Sequence, residues 1–433
     1  MRPRARLAQI DSGTMALAFT TLFVCFLMLM IGLKFWLASR QIRHVAQHAG
    51  AVPPQFAERV TLQAHRKAAA YTIARQRFGL VEAAVGGAAL VALTLLGGVQ
   101  AIAATVTEAM GSGLGAQVAI VASVAVILGA VDLPFEWYRQ FRVEEQFGFN
   151  RMTPRLFLAD TLKAVLVAAA LGLPLLALVL WLMNAAGSTW WLYAWAVWVA
   201  FNSLVLVLYP TVIAPLFNRF QPLTDADLAA RIGALLSRTG FSSRGVFVMD
   251  GSRRSAHGNA YFTGLGRAKR IVFFDTLLQR LRPAEIEAVL AHELGHFKRR
   301  HITKRLAFSF LASLVFLALL GWLAGQAWFY QGLGVTPALD GTHNSVALVL
   351  FMLVVPVFTF VLAPLASRIS RKHEFEADAF AVAHTGGDDL ASALVKLYED
   401  NAATLTPDPL HSAFYDSHPP AAIRIARLQA GTS

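Results

Sequence analysis

The sequence predicts a mainly α-helical chain that crosses a membrane about seven times and carries a polar, partly β-structured segment on one side of it. Three observations predict this. Of 433 residues, 56% are hydrophobic and only 15% are charged, where ordinary soluble domains hold about a quarter. The mean hydropathy is +0.53, too apolar for a soluble chain of this length. Apolar stretches long enough to cross a bilayer recur along the chain, and Lys and Arg are missing from three long tracts that contain them.

The apolar stretches lie at roughly 13–37, 79–104, 113–135, 157–184, 189–216, 306–327 and 346–366. The first is too long for a signal peptide and lacks a small-residue cleavage site, so it reads as a retained span. No Lys or Arg occurs between Arg77 and Arg139, between Lys163 and Arg219, or between Arg305 and Arg368. Each tract covers two spans and the short loop joining them, which places those loops on the translocated side. The basic connections at 38–78, 136–156 and 217–305, and the tail from 367, are then cytoplasmic. Seven spans put the N-terminus outside, although Arg2, Arg4 and Arg6 precede the first span. The expected organisation is membrane helices 1–5 over 1–216, a cytoplasmic segment over 217–305, helices 6–7 over 306–366 and a cytoplasmic tail over 367–433.

The net charge of +12 and pI near 10.2 would suggest nucleic acid in a soluble protein. In a membrane protein the same excess marks cytoplasmic loops. No nucleic-acid motif appears, so no nucleic-acid partner is expected. Cys25 is the single cysteine. That excludes an intramolecular disulfide, a thiolate metal cluster and a CxxC redox site. Any metal has to be held by His and carboxylate.

Residues 283–300, PAEIEAVLAHELGHFKRR, predict a helix opened by Pro283 at a position where its missing N–H does not matter. His292 and His296 then lie one turn apart on one face. That spacing lets two imidazoles bind one tetrahedral zinc. Glu293 is rotated off the metal axis, placed to act as general base for an attacking water. The pattern alone is moderately specific, and a chance occurrence on an ordinary helix is its bland counterpart. A third ligand comes from RKHEFEADAF at 371–380. Glu374 and Asp378 are four residues apart and share a helix face. Glu374 is the expected third ligand, and Asp378 the carboxylate that orients a zinc-bound histidine. Glu376 points off that face, and His373 is adjacent rather than aligned. The bland reading of this stretch is a solvated acidic patch.

Residues 257–266 followed by RAKRIVFFDTL at 267–277 have strand character at Ile271, Val272, Phe273 and Phe274. The first part could form an edge strand beside the metal and bind an extended peptide through its main chain. His257 reads as a loop residue, not a ligand.

Five blocks together resemble the seven-span, zinc-dependent CAAX prenyl protease family of membrane metallopeptidases. They are LPFEWYRQFRVEEQFGFN (133–150), GNAYFTGLGRAKRIVFFDTLL (258–278), AHELGHFKRRH (291–301), EFEADAFA (374–381) and PDPLHSAFYDSHPPAAIRIARL (407–428). The resemblance implies one zinc per chain on His292, His296 and Glu374, with Glu293 as general base. It implies Asn259 and Ala260 on a substrate-binding edge strand. His418 is matched to a histidine expected to steady the tetrahedral intermediate, and Arg424 to a basic residue near the same site. Asp416 stands where some members carry a further histidine. The resemblance also implies a chamber enclosed by the membrane helices, next to a zincin-type domain with a small β element. Glu82, Asp132 and Asp160 are compatible with a wet interior.

The expected activity is therefore hydrolysis of peptide bonds in a peptide or protein substrate, including a lipidated one, by a membrane-embedded zinc endopeptidase. The Ala- and Arg-rich composition points to a bacterial inner membrane, with the active site facing the cytoplasm. Two other readings compete. One is a general quality-control protease for membrane proteins. The other is a metal-binding scaffold or transporter without catalysis, against which three ligands beside a free carboxylate argue.

Overall fold

The computed structural model describes residues 3–263, 270–338 and 343–430. Arg2, and residues 264–269 of the block at 258–278, lie outside the described residues. The chain is mostly helical. Its first half runs α1 (Pro3–His48), α2 (Leu62–Leu93), α3 (Gly98–Met110), α4 (Leu114–Tyr138), α5 (Pro154–Ala185), α6 (Trp190–Leu208) and α7 (Ala214–Phe217). A mixed segment follows, with β1 (Phe220–Pro222), α8 (Ala226–Arg238), β2 (Val246–Met249), β3 (Ala260–Thr263), β4 (Arg270–Phe274), α9 (Asp275–Arg280) and α10 (Pro283–Lys298). The remainder is α11 (His301–Leu323), α12 (Ala327–Gln331), α13 (Asn344–Thr359), α14 (Ala363–Thr385), α15 (Gly387–Asp400), α16 (Pro409–Tyr415) and α17 (Ala421–Ala430).

Among the described residues, seven helical segments are long and apolar enough to span a bilayer: Gly13–His48, Leu62–Leu93, Leu114–Glu144, Pro154–Ala185, Gly187–Phe217, His301–Leu323 and Asn344–Thr385. Six coincide with the apolar stretches read from sequence. The second does not. The expected span at 79–104 is broken after Leu93, where Gly97 takes φ 78° and a Cβ on Gly98 would meet the Ala92 carbonyl oxygen at 2.6 Å. Only glycine fits this turn. The helix instead begins at Leu62 and takes in His65, Arg66, Lys67, Arg75 and Arg77, polar residues that make its first half read as soluble.

The membrane core centres on α13, whose Val346, Ala347, Leu350, Val354 and Val357 are buried against Phe23 and Leu27 of α1, Ile120 and Val124 of α4, and Leu320 of α11. The strand predicted at 271–274 is β4. It sits inside a four-stranded sheet of order β1-β2-β4-β3, parallel to β2 and antiparallel to β3. Its Ile271, Val272 and Phe273 are buried, and Ile271 and Phe273 pack with α8, α10 and α15 in a second core.

Two junctions connect these layers. A turn at Arg299 and Arg300 separates α10 from the sixth span, and Arg300 adopts φ 57°, a left-handed conformation that reverses the chain sharply. A 3₁₀ turn at Phe360–Leu362 joins α13 to α14, so the seventh span runs on as one stack of turns past the apolar layer. Helix α14, which carries one candidate ligand, therefore continues the seventh span, and α10, which carries the other two, is joined to the sixth span by the turn at Arg300.

Candidate metal centre

Helix α10 starts from a firm base. Pro283 occupies its first turn, and Glu285 accepts a hydrogen bond from the Arg282 backbone N–H at 2.7 Å, closing one of the orphan donors of the helix start. Glu285 is fully buried. Lys396 and Ser392 of α15 donate to it at 2.7 and 2.8 Å. Burial alone would raise its pKa, but these donors outweigh burial and hold it at about 2. From this anchor, Ala288, Ala291, Leu294 and Gly295 bury one side of the helix.

Gly295, the glycine of His-Glu-Leu-Gly-His, explains how the third ligand arrives. A Cβ there would lie 2.9 Å from the Cα of Ala377 and 3.0 Å from its carbonyl oxygen. With no Cβ on one helix and a single methyl on the other, α10 and α14 meet backbone to backbone. Glu374, one turn before Ala377, is thereby brought to His292 and His296.

The ligand atoms of His292, His296 and Glu374 all lie within 4.8 Å of one another. His292 Nε2 and His296 Nε2 are 3.2 Å apart. His292 Nε2 is 3.5 Å from Glu374 Oε2, and His296 Nε2 is 3.3 Å from Glu374 Oε1. Bonds of about 2.0–2.1 Å at tetrahedral angles separate ligand atoms by roughly 3.3–3.4 Å. Glu374 meets each histidine through a different oxygen, and the three side chains converge closely enough to hold a small cation between them. Glu374 Oε2 is buried without a hydrogen bond of acceptable geometry, although His418 Nδ1 lies 2.7 Å away. A buried carboxylate oxygen left in this state calls for a positive partner. Glu293 is half-buried beside the triangle.

Each histidine is held from behind, by different means. His292 Nδ1 donates to Asp378 Oδ1 at 2.8 Å. Arg424 grips the same carboxylate with Nε and Nη2, both at 2.7 Å, and its Nη1 reaches to 3.5 Å from Glu374. Burial opposes the Arg424 charge, but the Asp378 carboxylate overcomes it and holds the guanidinium above the ordinary arginine range. His296 Nδ1 is instead 3.0 Å from His301 Nδ1, whose Nε2 donates to Glu376 Oε2 at 2.9 Å. His373 stacks on the His301 ring, centroids 4.0 Å apart and 11° from parallel. The sequence reading placed Glu376 and His373 outside the site. Glu376 does point off the Glu374 face, but toward His301, which that reading did not single out. The left-handed turn at Arg300 puts His301 behind His296, and no helical spacing across that break could reveal it.

His418 and Asn259 stand on the wall of a cavity of about 1020 Å³. The His418 side chain is 63% exposed, so it can meet a substrate. The opposite wall is α2, with Tyr71, Arg75, Gly79 and Glu82, joined by Arg139 and Val143 from the π-helical turn after α4. Strand β3 is the sheet edge. Asn259 begins it, and Asn259 Oδ1 accepts from the Ala260 backbone N–H at 2.8 Å. His257 is a loop residue bonded to Asn401 Oδ1 at 3.0 Å.

Seven candidate spans among the described residues, the last two joined to helices that bring His292, His296 and Glu374 together, define a membrane-embedded metallopeptidase. Residues 41–219 match the family described as CAAX prenyl protease N-terminal, five membrane helices, and residues 222–432 match peptidase family M48. A CAAX prenyl protease 1 homolog from Oryza sativa subsp. japonica is 32% identical over 96% of this chain and 98% of its own length. One from Dictyostelium discoideum is 40% identical over 66% of this chain and 67% of its own length. The crystal structure of S. mikatae Ste24p is 29% identical, covers 95% of this chain and 99% of that chain, and superposes with a TM-score of 0.88. The chain belongs to the CAAX prenyl protease family of M48 peptidases, and it is a multi-pass membrane metalloendopeptidase that acts on peptide or protein substrates. The reading as a non-catalytic scaffold or transporter is not favoured by these relatives, nor is that of a general quality-control protease.

Proposed function

We propose that this chain is a CAAX-type endopeptidase that holds one zinc ion on His292, His296 and Glu374 and cuts prenylated proteins near the C-terminus. The observation that carries the reading is the convergence of His292, His296 and Glu374, whose ligand atoms lie within 4.8 Å of one another, beside the half-buried Glu293. Zinc there would supply the Lewis acidity that polarises a scissile carbonyl and activates water. Glu293 takes the proton of the attacking water and returns it to the departing amine. His418 donates to the oxygen that becomes negative. Asp378 fixes the tautomer and orientation of His292, and Arg424 fixes Asp378.

Asn259 and Ala260 would receive the substrate as an added strand. Asn259 C=O accepts from the Phe274 N–H at 3.0 Å. In an antiparallel ladder the next residue then turns its polar groups outward, so Ala260 offers its C=O to a peptide, and its N–H once the peptide displaces Asn259 Oδ1 from it. The organisation we propose separates membrane helices over 1–216 and 306–366 from the catalytic segments over 217–305 and 367–433. The positive-inside pattern places those segments in the cytoplasm, and the composition suits a bacterial inner membrane.

The test is cleavage of a farnesylated peptide and its unmodified twin by the purified protein, with and without a zinc chelator. The expected result is one cut near the C-terminus, lost on chelation and restored by zinc. Many cuts in an unfolded protein, with no preference for the lipidated peptide, would overturn the prenyl reading.

A further inference from the structure

We infer that Arg75 is the receptor for the substrate's terminal carboxylate, so that the enzyme sets its cut by distance from the C-terminus. The inference rests on the endopeptidase reading above and adds the group that end-recognition requires.

A peptide paired antiparallel to β3 has its C-terminal side directed past Asn259 and Gly258. Those two residues line the large cavity, as does His418. The far wall is α2, whose Tyr71, Arg75 and Glu82 face the same space. Residues on the leaving side of the cut are therefore fed toward α2.

The charges on that wall are mostly spent on each other. Arg139 is paired with Glu82 and with Glu136. Glu144, behind the wall, accepts from Tyr71 Oη at 2.5 Å and faces His257 Nε2 at 3.4 Å. Arg75 differs. Its guanidinium lies 5.4 Å over the Tyr71 ring, and it has no carboxylate within 4 Å among the described residues. A hydrogen bond to Tyr71 and the nearby Glu144 charge orient the planar fork, and because the side chain is exposed it keeps further N–H donors for a ligand. An arginine held in this way suits a bidentate carboxylate. Arg139, the other arginine lining the cavity, is already held by Glu82 and Glu136, which leaves Arg75 as the lining arginine with no ion pair among the described residues.

The test uses the full-length Glu293→Gln protein in detergent and two fluorescent farnesylated peptides of identical sequence. One ends in a carboxylate and the other in a carboxamide. The carboxylate peptide is expected to bind roughly tenfold tighter, as for a hydrogen-bonded charge pair. Adding Arg75→Ala should bring its affinity to that of the carboxamide, whose binding should not change. Arg75→Lys should keep part of the difference. Equal binding of the two peptides, or an Arg75→Ala loss that is the same for both, overturns the inference. Wild-type cleavage is followed in parallel. If the carboxylate preference holds but neither peptide is cut, the proteolytic reading fails and the Arg75 site stands.

Discussion

Where α10 meets α14, the side chains are Ala, Gly, Leu and paired charges, packed out of water. Across the cavity, on α2, Thr72, Arg75, Gln76 and Glu82 are at least partly exposed. The first region brings one ligand atom from each of three side chains within 4.8 Å of one another. The second surrounds about 1020 Å³ of open volume. A metal site tolerates little displacement, so its support is backbone against backbone. A substrate pocket has to admit and release a chain, so its wall is polar and loosely filled. The difference teaches which substitutions each region can absorb.

The largest effect is expected from Glu293→Gln, which keeps the shape of the seam and removes only the base. Turnover should fall by about 10²–10⁴ while metal content, measured by atomic absorption, stays at the wild-type level. Normal turnover in that variant would remove Glu293 from the mechanism. Next comes a matched pair of glycines. Gly295→Ala puts a methyl 2.9 Å from the Ala377 Cα. Backbone cannot yield there as a flexible side chain would, so the helices must part and Glu374 moves off the histidines. Displacement of about 1 Å at a catalytic group costs on the order of a hundredfold, and metal should be lost as well. Gly79→Ala on the cavity wall meets nothing within 4 Å. Its activity should stay within about twofold, and a large loss there would erase the contrast between the two regions.

His301→Ala probes the less obvious support. His292 is held by a carboxylate directly, whereas His296 reaches Glu376 through a second imidazole. Partners of this kind typically contribute 10–100-fold in metal affinity. Competition with a chelator should show a loss in that range. Glu376→Ala added to His301→Ala should then cost little more, because the two act in series. Independent, additive losses would mean that they do not form one relay.

How far these features were legible follows the same division. The spans are composition and length, so six of seven lie in the sequence for anyone to read. The second misleads because Thr72, Arg75 and Gln76 of α2 line a cavity of the protein, a circumstance that hydropathy cannot register. His292, Glu293, His296, Glu374 and Asp378 are legible because each set falls on one helix with turn spacing. His301 is not, because a left-handed residue intervenes. His418 and Arg424 reach the site from the tail by tertiary packing alone, and only resemblance to a family pointed to them. The role of Gly295 is invisible without Ala377 opposite it.

The smallest expected effect concerns the base of the seam. Glu285 is held at about 2, below the ordinary carboxylate value near 4.5, by its hydrogen bonds to α15 and to the start of α10. A depressed folded-state pKa contributes stability above the unfolded value and loses it as pH falls toward the folded one. The stabilisation from Glu285 is therefore complete above about pH 5 and fades between about pH 4.5 and 2. Glu285→Gln should lower the thermal midpoint by a few degrees at pH 7, and the gap to wild type should narrow steadily below pH 4.5. A gap that stayed constant down to pH 3 would mean that the donors around Glu285 serve its shape and not its charge. Because α10 starts at this anchor, the same variant should also loosen metal retention slightly at pH 7, while leaving the carboxylate preference of the α2 wall untouched.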